Sequence, residues 1–491
     1  MKKALKVILF ALIAIIGFSL VDVNAALTVD SSVSGTTDPN SKLVTSRGTF
    51  EFYDADVETV DISAYKIIDV FYNESSNVIT YEFTSNFKTF LPSNSTYKNL
   101  TIDDYTNLTS NNSTSTVTNS TLDKLLSLYT TYIKTNGISF DVGNDFMLFL
   151  NAGVYLILPM STMNVYAVMT ANMVPKVNTA GEWYVDSSVI SPKVSKAGVS
   201  KSVSAIGTTS ASYGLADTYK YYVVGTVPTY PTNSINRVYT ITDTLGTGIS
   251  LSGISSFVIK DGETTLTTKS DGTVVNSSGN TVATISISGQ TVTITFDVNY
   301  VTTNKVTVTY EAKLNSSAVL GDTGNINSAV LTYSNDPYGT GTTNATATTT
   351  VYTYGIELLA YETGNTSLGL ANATFDVYTD SGLTKKIGTI TTDSTGKGTL
   401  VGVAEGTYYL KQTKASSGYG LANATSMKVK ITGSVTGSTE GYYKVEISVP
   451  KSGLLPFTGG SGTIIYSILG LVVIATAVAG YVLYRKKKNK K

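Results

Sequence analysis

Apolar and polar residues alternate along much of the chain. TVTITFDV (291–298) and KVTVTYEAKL (305–314) show the period of two that marks half-buried strands. One stretch breaks the rule. In TLDKLLSLYTTYIK (121–134), Leu122, Leu125, Leu126 and Tyr129 fall at i, i+3, i+4 and i+7, which predicts a helix preceded by the polar loop SNNSTSTVTNS (110–120). Residues 194–350 read as strand and turn throughout, and 351–450 as a further short β-domain with regularly spaced turn signals. Continuous apolar runs occur at the two ends. MKK, LKVILFALIAIIGFSLV and VNA together predict a secretory signal peptide over 1–25, cleaved after Ala25. TIIYSILGLVVIATAVAGYVLY (463–484) is long enough to span a bilayer, and RKKKNKK follows it as a positive-inside stop.

Composition narrows the chemistry. The 491 residues include no cysteine and no histidine, which removes disulfides, thiol nucleophiles, imidazole bases and nearly every zinc or copper site. No cofactor is implied. The formal charge is zero, but Lys2, Lys3, Lys6 and Asp22 lie in the first segment and Arg485, Lys486, Lys487, Lys488, Lys490 and Lys491 in the last. The remainder holds 26 basic and 34 acidic side chains, a net charge near −8 that argues against nucleic-acid binding. The string Asp30-Ser31-Ser32-Val33-Ser34 matches a D-x-S-x-S metal motif. That motif belongs on a strand of a doubly wound α/β domain, which this β-rich region is not. Nothing in the carboxylate spacing supports a glycoside hydrolase.

Immediately before the apolar span stands Leu455-Pro456-Phe457-Thr458-Gly459. Motif, span and basic tail in this order resemble the LPXTG-type sorting signal of Gram-positive surface proteins. The resemblance implies a partner, the transpeptidase sortase, which cuts between Thr458 and Gly459 and passes the threonine carboxyl to an amine. Pro456 keeps the peptide extended and Gly459 leaves the scissile carbonyl uncrowded. An ordinary single-span anchor is the alternative.

EWYVDSSVISPKVSK (182–196) resembles the pilin motif of sortase-assembled pili, through Trp183, Val189 and Pro192-Lys193. Spacing from the tryptophan is one residue longer than in the family, and Ser191 replaces the usual tyrosine. The resemblance makes Lys193 the acceptor amine for Thr458 of the next subunit; a linker lysine is the plain alternative. Met173-Val174-Pro175, the D-x-L-x-x-G-I run from Asp243 to Ile249, and the G-N-x-N…YSNDP run (324–337) follow in the order found in shaft, or backbone, pilins. That family implies tandem immunoglobulin-like β-sandwich domains, the first with a helical insertion: 26–192, 193–350, and a collagen-adhesin B-type domain at 351–450, followed by the sorting signal at 451–491.

Such pilins replace disulfides with internal isopeptide bonds between lysine and asparagine, assisted by a buried acid. In the middle domain the family positions fall on Lys201, Asp243 and Asn327. Burial would lower the lysine pKa and raise that of the acid, giving a neutral nucleophile and a proton donor. The third domain resembles the same sandwich type through LANATF (370–375) and YYLKQTKASSGY (408–419). There Gln412 replaces the family's glutamate, Ala360 its lysine and Pro450 its asparagine, so no crosslink is expected. The implied whole is a structural shaft subunit, polymerised with identical subunits and attached to peptidoglycan. The alternative is a singly anchored adhesin. Any host ligand is not legible.

Overall fold

A computed structural model of the chain describes residues 27–52, 60–93, 102, 120–136, 141–143, 147–186, 188–190, 192, 194–231, 234–422, 426–433, 441–452 and 461–488. The expected signal peptide, Lys193, and Leu455 through Gly459 lie outside the described residues.

The first domain is organised around the 13-residue strand Asp61–Asn73. It pairs antiparallel with Gly153–Met160, with a register shift between Lys66 and Ile68, and also with Lys42–Val44, Val78–Phe83 and Asp141–Gly143. Both faces of this sheet are covered, so GVYLILPM (153–160) is apolar almost without interruption. One face meets the three-stranded sheet of Arg47–Phe52, Met147–Asn151 and Ser188–Ile190, burying Phe50, Leu148, Ile62, Tyr155 and Ile157. Two helices cover the other. Helix α1 spans Ser85–Ser93 and α2 spans Ser120–Asn136. Leu125, Tyr129 and Ile133 of α2 pack with Phe87, Phe90 and Leu91 of α1 against Ile67, Ile68 and Leu156.

Helix α2 matches the expectation from periodicity to within two residues at each end. Helix α1 was not expected, because nine residues give too short a window for a helical period. Its start is nonetheless chemically marked: Phe87 N donates to Thr84 Oγ1 at 3.4 Å, an N-cap contact at the weak end of the range.

The middle domain is a sandwich of a six-stranded and an eight-stranded sheet. As the alternation predicts, Val292, Ile294 and Phe296 of one strand and Val306, Val308, Tyr310, Ala312 and Leu314 of another face the core. The third domain is a smaller sandwich of two four-stranded sheets, and its strand Tyr442–Val449 runs parallel to Tyr354–Glu362.

The junctions are packed. Val194–Lys196 pairs antiparallel with Asn164–Tyr166, so the chain stays attached to the first domain's strands beyond residue 192, where the sequence placed the boundary. The loop 334–341 of the middle domain reaches back. Tyr338, 1% exposed, completes the cluster beneath α1 and α2. Asp336 pairs with Lys134 of α2, and Asn335 Nδ2 donates to Ser161 O at 2.8 Å. Toward the third domain only the buried Thr353 separates Thr343–Tyr352 from Tyr354–Glu362, and Leu215 N donates to Gly402 O at 3.0 Å. A last helix, α3 (Ser461–Lys488), contains the one span among the described residues long and apolar enough to cross a membrane.

Candidate functional site

Lys201 lies on the strand Gly198–Val203, where Val199 and Val203 share its parity and point inward. An apolar residue is what the alternation calls for at 201. The same substitution recurs on three more strands. Asp243 follows Tyr239 and Ile241 on Tyr239–Leu245; Asn327 precedes Ala329 and Leu331 on Asn325–Tyr333; Tyr310 lies between Val308 and Ala312 on Lys305–Leu314. Lys201 and Tyr310 belong to the six-stranded sheet, Asp243 and Asn327 to adjacent strands of the other, with Leu245 opposite Asn327 and Ala329 opposite Asp243. Four polar side chains therefore meet across the sandwich, inside its core.

Their contacts form a closed set. Lys201 Nζ lies 2.5 Å from Asp243 Oδ2, and Tyr310 Oη donates to the same oxygen at 2.5 Å. Asn327 Nδ2 donates to Tyr310 Oη at 2.8 Å, and Lys201 Nζ lies 3.2 Å from that hydroxyl. Asp243 Oδ1 and Asn327 Oδ1 have no hydrogen-bond partner. The Tyr221 and Tyr310 ring centroids lie 5.0 and 5.5 Å from Lys201 Nζ, and Phe257 stacks on Tyr310 at 4.9 Å. Side-chain exposure is 0% for Lys201 and 1% for Asp243.

Burial in this aromatic cage pushes the Lys201 amine below its usual range, against the pull of Asp243, and pushes the Tyr310 hydroxyl far above its own. A buried ion pair is weak evidence of stabilisation, since desolvation offsets most of the attraction. Its chemical consequence is clearer. Proton transfer from lysine to aspartate removes both charges and leaves a nucleophilic amine in a site that also holds a carboxamide. The sequence expectation that Lys201, Asp243 and Asn327 form one group thus describes their placement. Tyr310 was missed, and the only signal for it was its parity with Val306 and Val308 in KVTVTYEAKL.

The third domain offers a contrast. Ala360 and Gln412 both face its core, on opposite sheets. Gln412 Oε1 accepts from Ala422 N at 2.7 Å and Nε2 donates to Lys414 O at 3.2 Å, so both ends of the amide are satisfied. Pro450 lies just past Tyr442–Val449, whose inward residues beside Ala360 are Ile447 and Val449. No buried lysine is present among this domain's described residues.

The segment flanking Lys193 is held on both sides. Trp183, on the strand Trp183–Val185, donates through Nε1 to Asn77 Oδ1 at 2.7 Å and meets Tyr72 edge-on. Val189 is 48% exposed on Ser188–Ile190, which runs parallel to Arg47–Phe52. Asp30 Oδ1 only accepts from Ser32 N and Oγ, a local turn contact, and no group of three metal-capable side chains exists among the described residues.

Comparison with known proteins agrees with this layout. Residues 359–444 match a family of prealbumin-like fold domains, and 448–491 match the LPXTG cell wall anchor motif. The chain is therefore a cell-wall-anchored surface protein. Its architecture is that of backbone pilins. The T6 backbone pilin of Streptococcus pyogenes serotype M6 superposes with a TM-score of 0.62 at 19% identity, over 79% of this chain and 80% of that one. The major pilin SpaD of Corynebacterium diphtheriae gives 0.52 at 15% identity, over 83% and 98%. In sequence, the trypsin-resistant surface T6 protein of the same streptococcal serotype is 26% identical over 226 residues, 43% of this chain. The match spans about two fifths of that relative's length, 41%.

Proposed function

We propose that the chain is the shaft subunit of a covalently polymerised pilus, a structural protein and not an enzyme acting on an external substrate. Sortase joins the Thr458 carboxyl of one subunit to the Lys193 amine of the next, and the last subunit is transferred to peptidoglycan. The observation that carries this reading is the conjunction of an LPXTG anchor with the three-domain architecture of backbone pilins along most of the chain. Strands on both sides of Lys193 are fixed to the first domain, which suits a linkage point that must bear load.

Within the middle domain, Lys201 Nζ attacks Asn327 Cγ, an amide forms, and ammonia leaves. The contact of Lys201 with Asp243 at 2.5 Å and the buried Asn327 amide support this reading. The third domain has no buried lysine among its described residues and on this reading remains uncrosslinked.

Cell-wall extracts boiled in detergent test the polymer. A ladder of high-mass species is expected from wild-type cells, and only wall-linked monomer from Lys193→Ala. A wild type that runs as monomer would favour the singly anchored adhesin.

A further inference from the structure

Joining Lys201 to Asn327 requires a proton to travel. The amine enters as a neutral NH2 and ends as an amide N–H, losing one proton, while the departing Asn327 nitrogen must gain one to leave as NH3. Asp243 is placed at the source, since its Oδ2 is 2.5 Å from Lys201 Nζ. It is not placed at the destination. The hydrogen-bond partner of Asn327 Nδ2 is Tyr310 Oη, at 2.8 Å.

We propose that Tyr310 is a catalytic residue of this reaction, the relay that carries the proton from Asp243 to the leaving nitrogen of Asn327. The proposal rests on the Lys201–Asn327 crosslink argued above. In the starting arrangement the Tyr310 hydroxyl donates to Asp243 Oδ2 and accepts from Asn327 Nδ2, with Lys201 Nζ at 3.2 Å. Once the carboxylate has taken the ammonium proton of Lys201, leaving the neutral amine that attacks, it becomes a donor and the hydrogen bond to Tyr310 reverses. The phenolic proton is then free to turn to Nδ2. As the C–Nδ2 bond breaks, Tyr310 gives that proton to the nitrogen and receives another from Asp243. The carboxylate so released takes the proton that the acylated Lys201 nitrogen loses; the phenol is restored, Asp243 ends as the acid, the amide is complete, and one NH3 has left. Burial holds the phenol in its protonated form, so no free phenolate is required. The ring is held for this task by stacking on Phe257 and by Tyr221, with centroids at 4.9 and 5.4 Å.

The full chain is refolded from denaturant, samples are quenched over time, and the peptide joining Lys201 to Asn327 is quantified by mass spectrometry, with folding followed separately by tyrosine fluorescence. Wild type is expected to join. Tyr310→Phe, which keeps the ring and removes Oη, is expected to fold at the wild-type rate and join at least about a hundredfold more slowly, in the range for loss of a proton-transfer group. Joining at the wild-type rate in Tyr310→Phe overturns the relay. If wild type itself never joins, the crosslink reading fails first, and that result is separately visible. Should Tyr310→Phe not fold, the wild-type joining rate is measured in mixtures of light and heavy water. Two protons in flight give a curved dependence on deuterium fraction, and a straight line overturns the proposal.

Discussion

Lysine, aspartate, asparagine and tyrosine meeting at inward positions of four strands would be a costly way to fill a sandwich core unless they react. The measurable signature is mass. The chain with its crosslink should weigh about 17 Da less than its sequence, one ammonia, and Asp243→Ala should restore the full mass. The bond closes a loop of about 126 residues, so its loss should cost roughly 5 kcal/mol by the chain-entropy account. Equal thermal stability of the two would contradict this. Gln412 behaves differently, because its amide already satisfies Ala422 N and Lys414 O. Gln412→Glu should leave the mass unchanged and destabilise the third domain by about 1–3 kcal/mol, since the new carboxylate faces a carbonyl it cannot pair with. Glu82 provides a pH test in the first domain. Burial would raise its carboxyl, but hydrogen bonds from Thr36, Thr37 and Lys88 outweigh it and hold the pKa at about 2. A carboxyl depressed in the folded state contributes stability that is present above its unfolded value and lost as pH falls through the folded one. First-domain stability should therefore decline between about pH 4.5 and 2, and Glu82→Gln should flatten that decline. At this scale the grouping of Lys201, Asp243 and Asn327 was legible only because these residues stand in a family's order. Tyr310 was hidden by context: an aromatic in an alternating strand is what any core would hold.

Among the elements, strands carried the clearest signal. TVTITF and KVTVTYEAKL bury the residues their alternation assigns, and α2 follows its period. Helix α1 escaped notice because it is short and draws its stability from tertiary packing, chiefly Phe87 and Phe90 against Tyr129. The loop 334–341 escaped for a related reason. Its SNDPYGTG sequence reads as a polar turn, yet Tyr338 belongs to the core of a different domain. Tyr338→Ala should therefore destabilise the first domain by about 3 kcal/mol, in the range for deleting a buried aromatic. Hydrogen exchange is expected to speed up in α1 and α2 while the strands around Lys201 keep their protection. Faster exchange confined to the middle domain would show that the tyrosine supports only its own loop.

Across the whole molecule, the mainly β, tandem-domain plan was readable from changes in pattern, while the strand pairing at the first junction was not. Val194–Lys196 looks like linker in sequence and becomes a strand only by pairing with Asn164–Tyr166, a partner about thirty residues away that alternation alone cannot name. The completed layout implies a division of mechanical labour. A Lys201–Asn327 bond takes the chain between those residues out of the load path, whereas a third domain without a crosslink would have only packing and strand hydrogen bonds. In single-molecule pulling, the third domain should lengthen first and the middle domain should add only the stretches before Lys201 and beyond Asn327. All of this presupposes that subunits are joined end to end, and peptide mapping of purified high-mass wall material tests that most directly. The account predicts a branched peptide in which the Thr458 carboxyl is amide-bonded to the Lys193 side chain, absent from Lys193→Ala. Recovery of Thr458 joined solely to wall peptide, or a ladder that persists in Lys193→Ala, would contradict it.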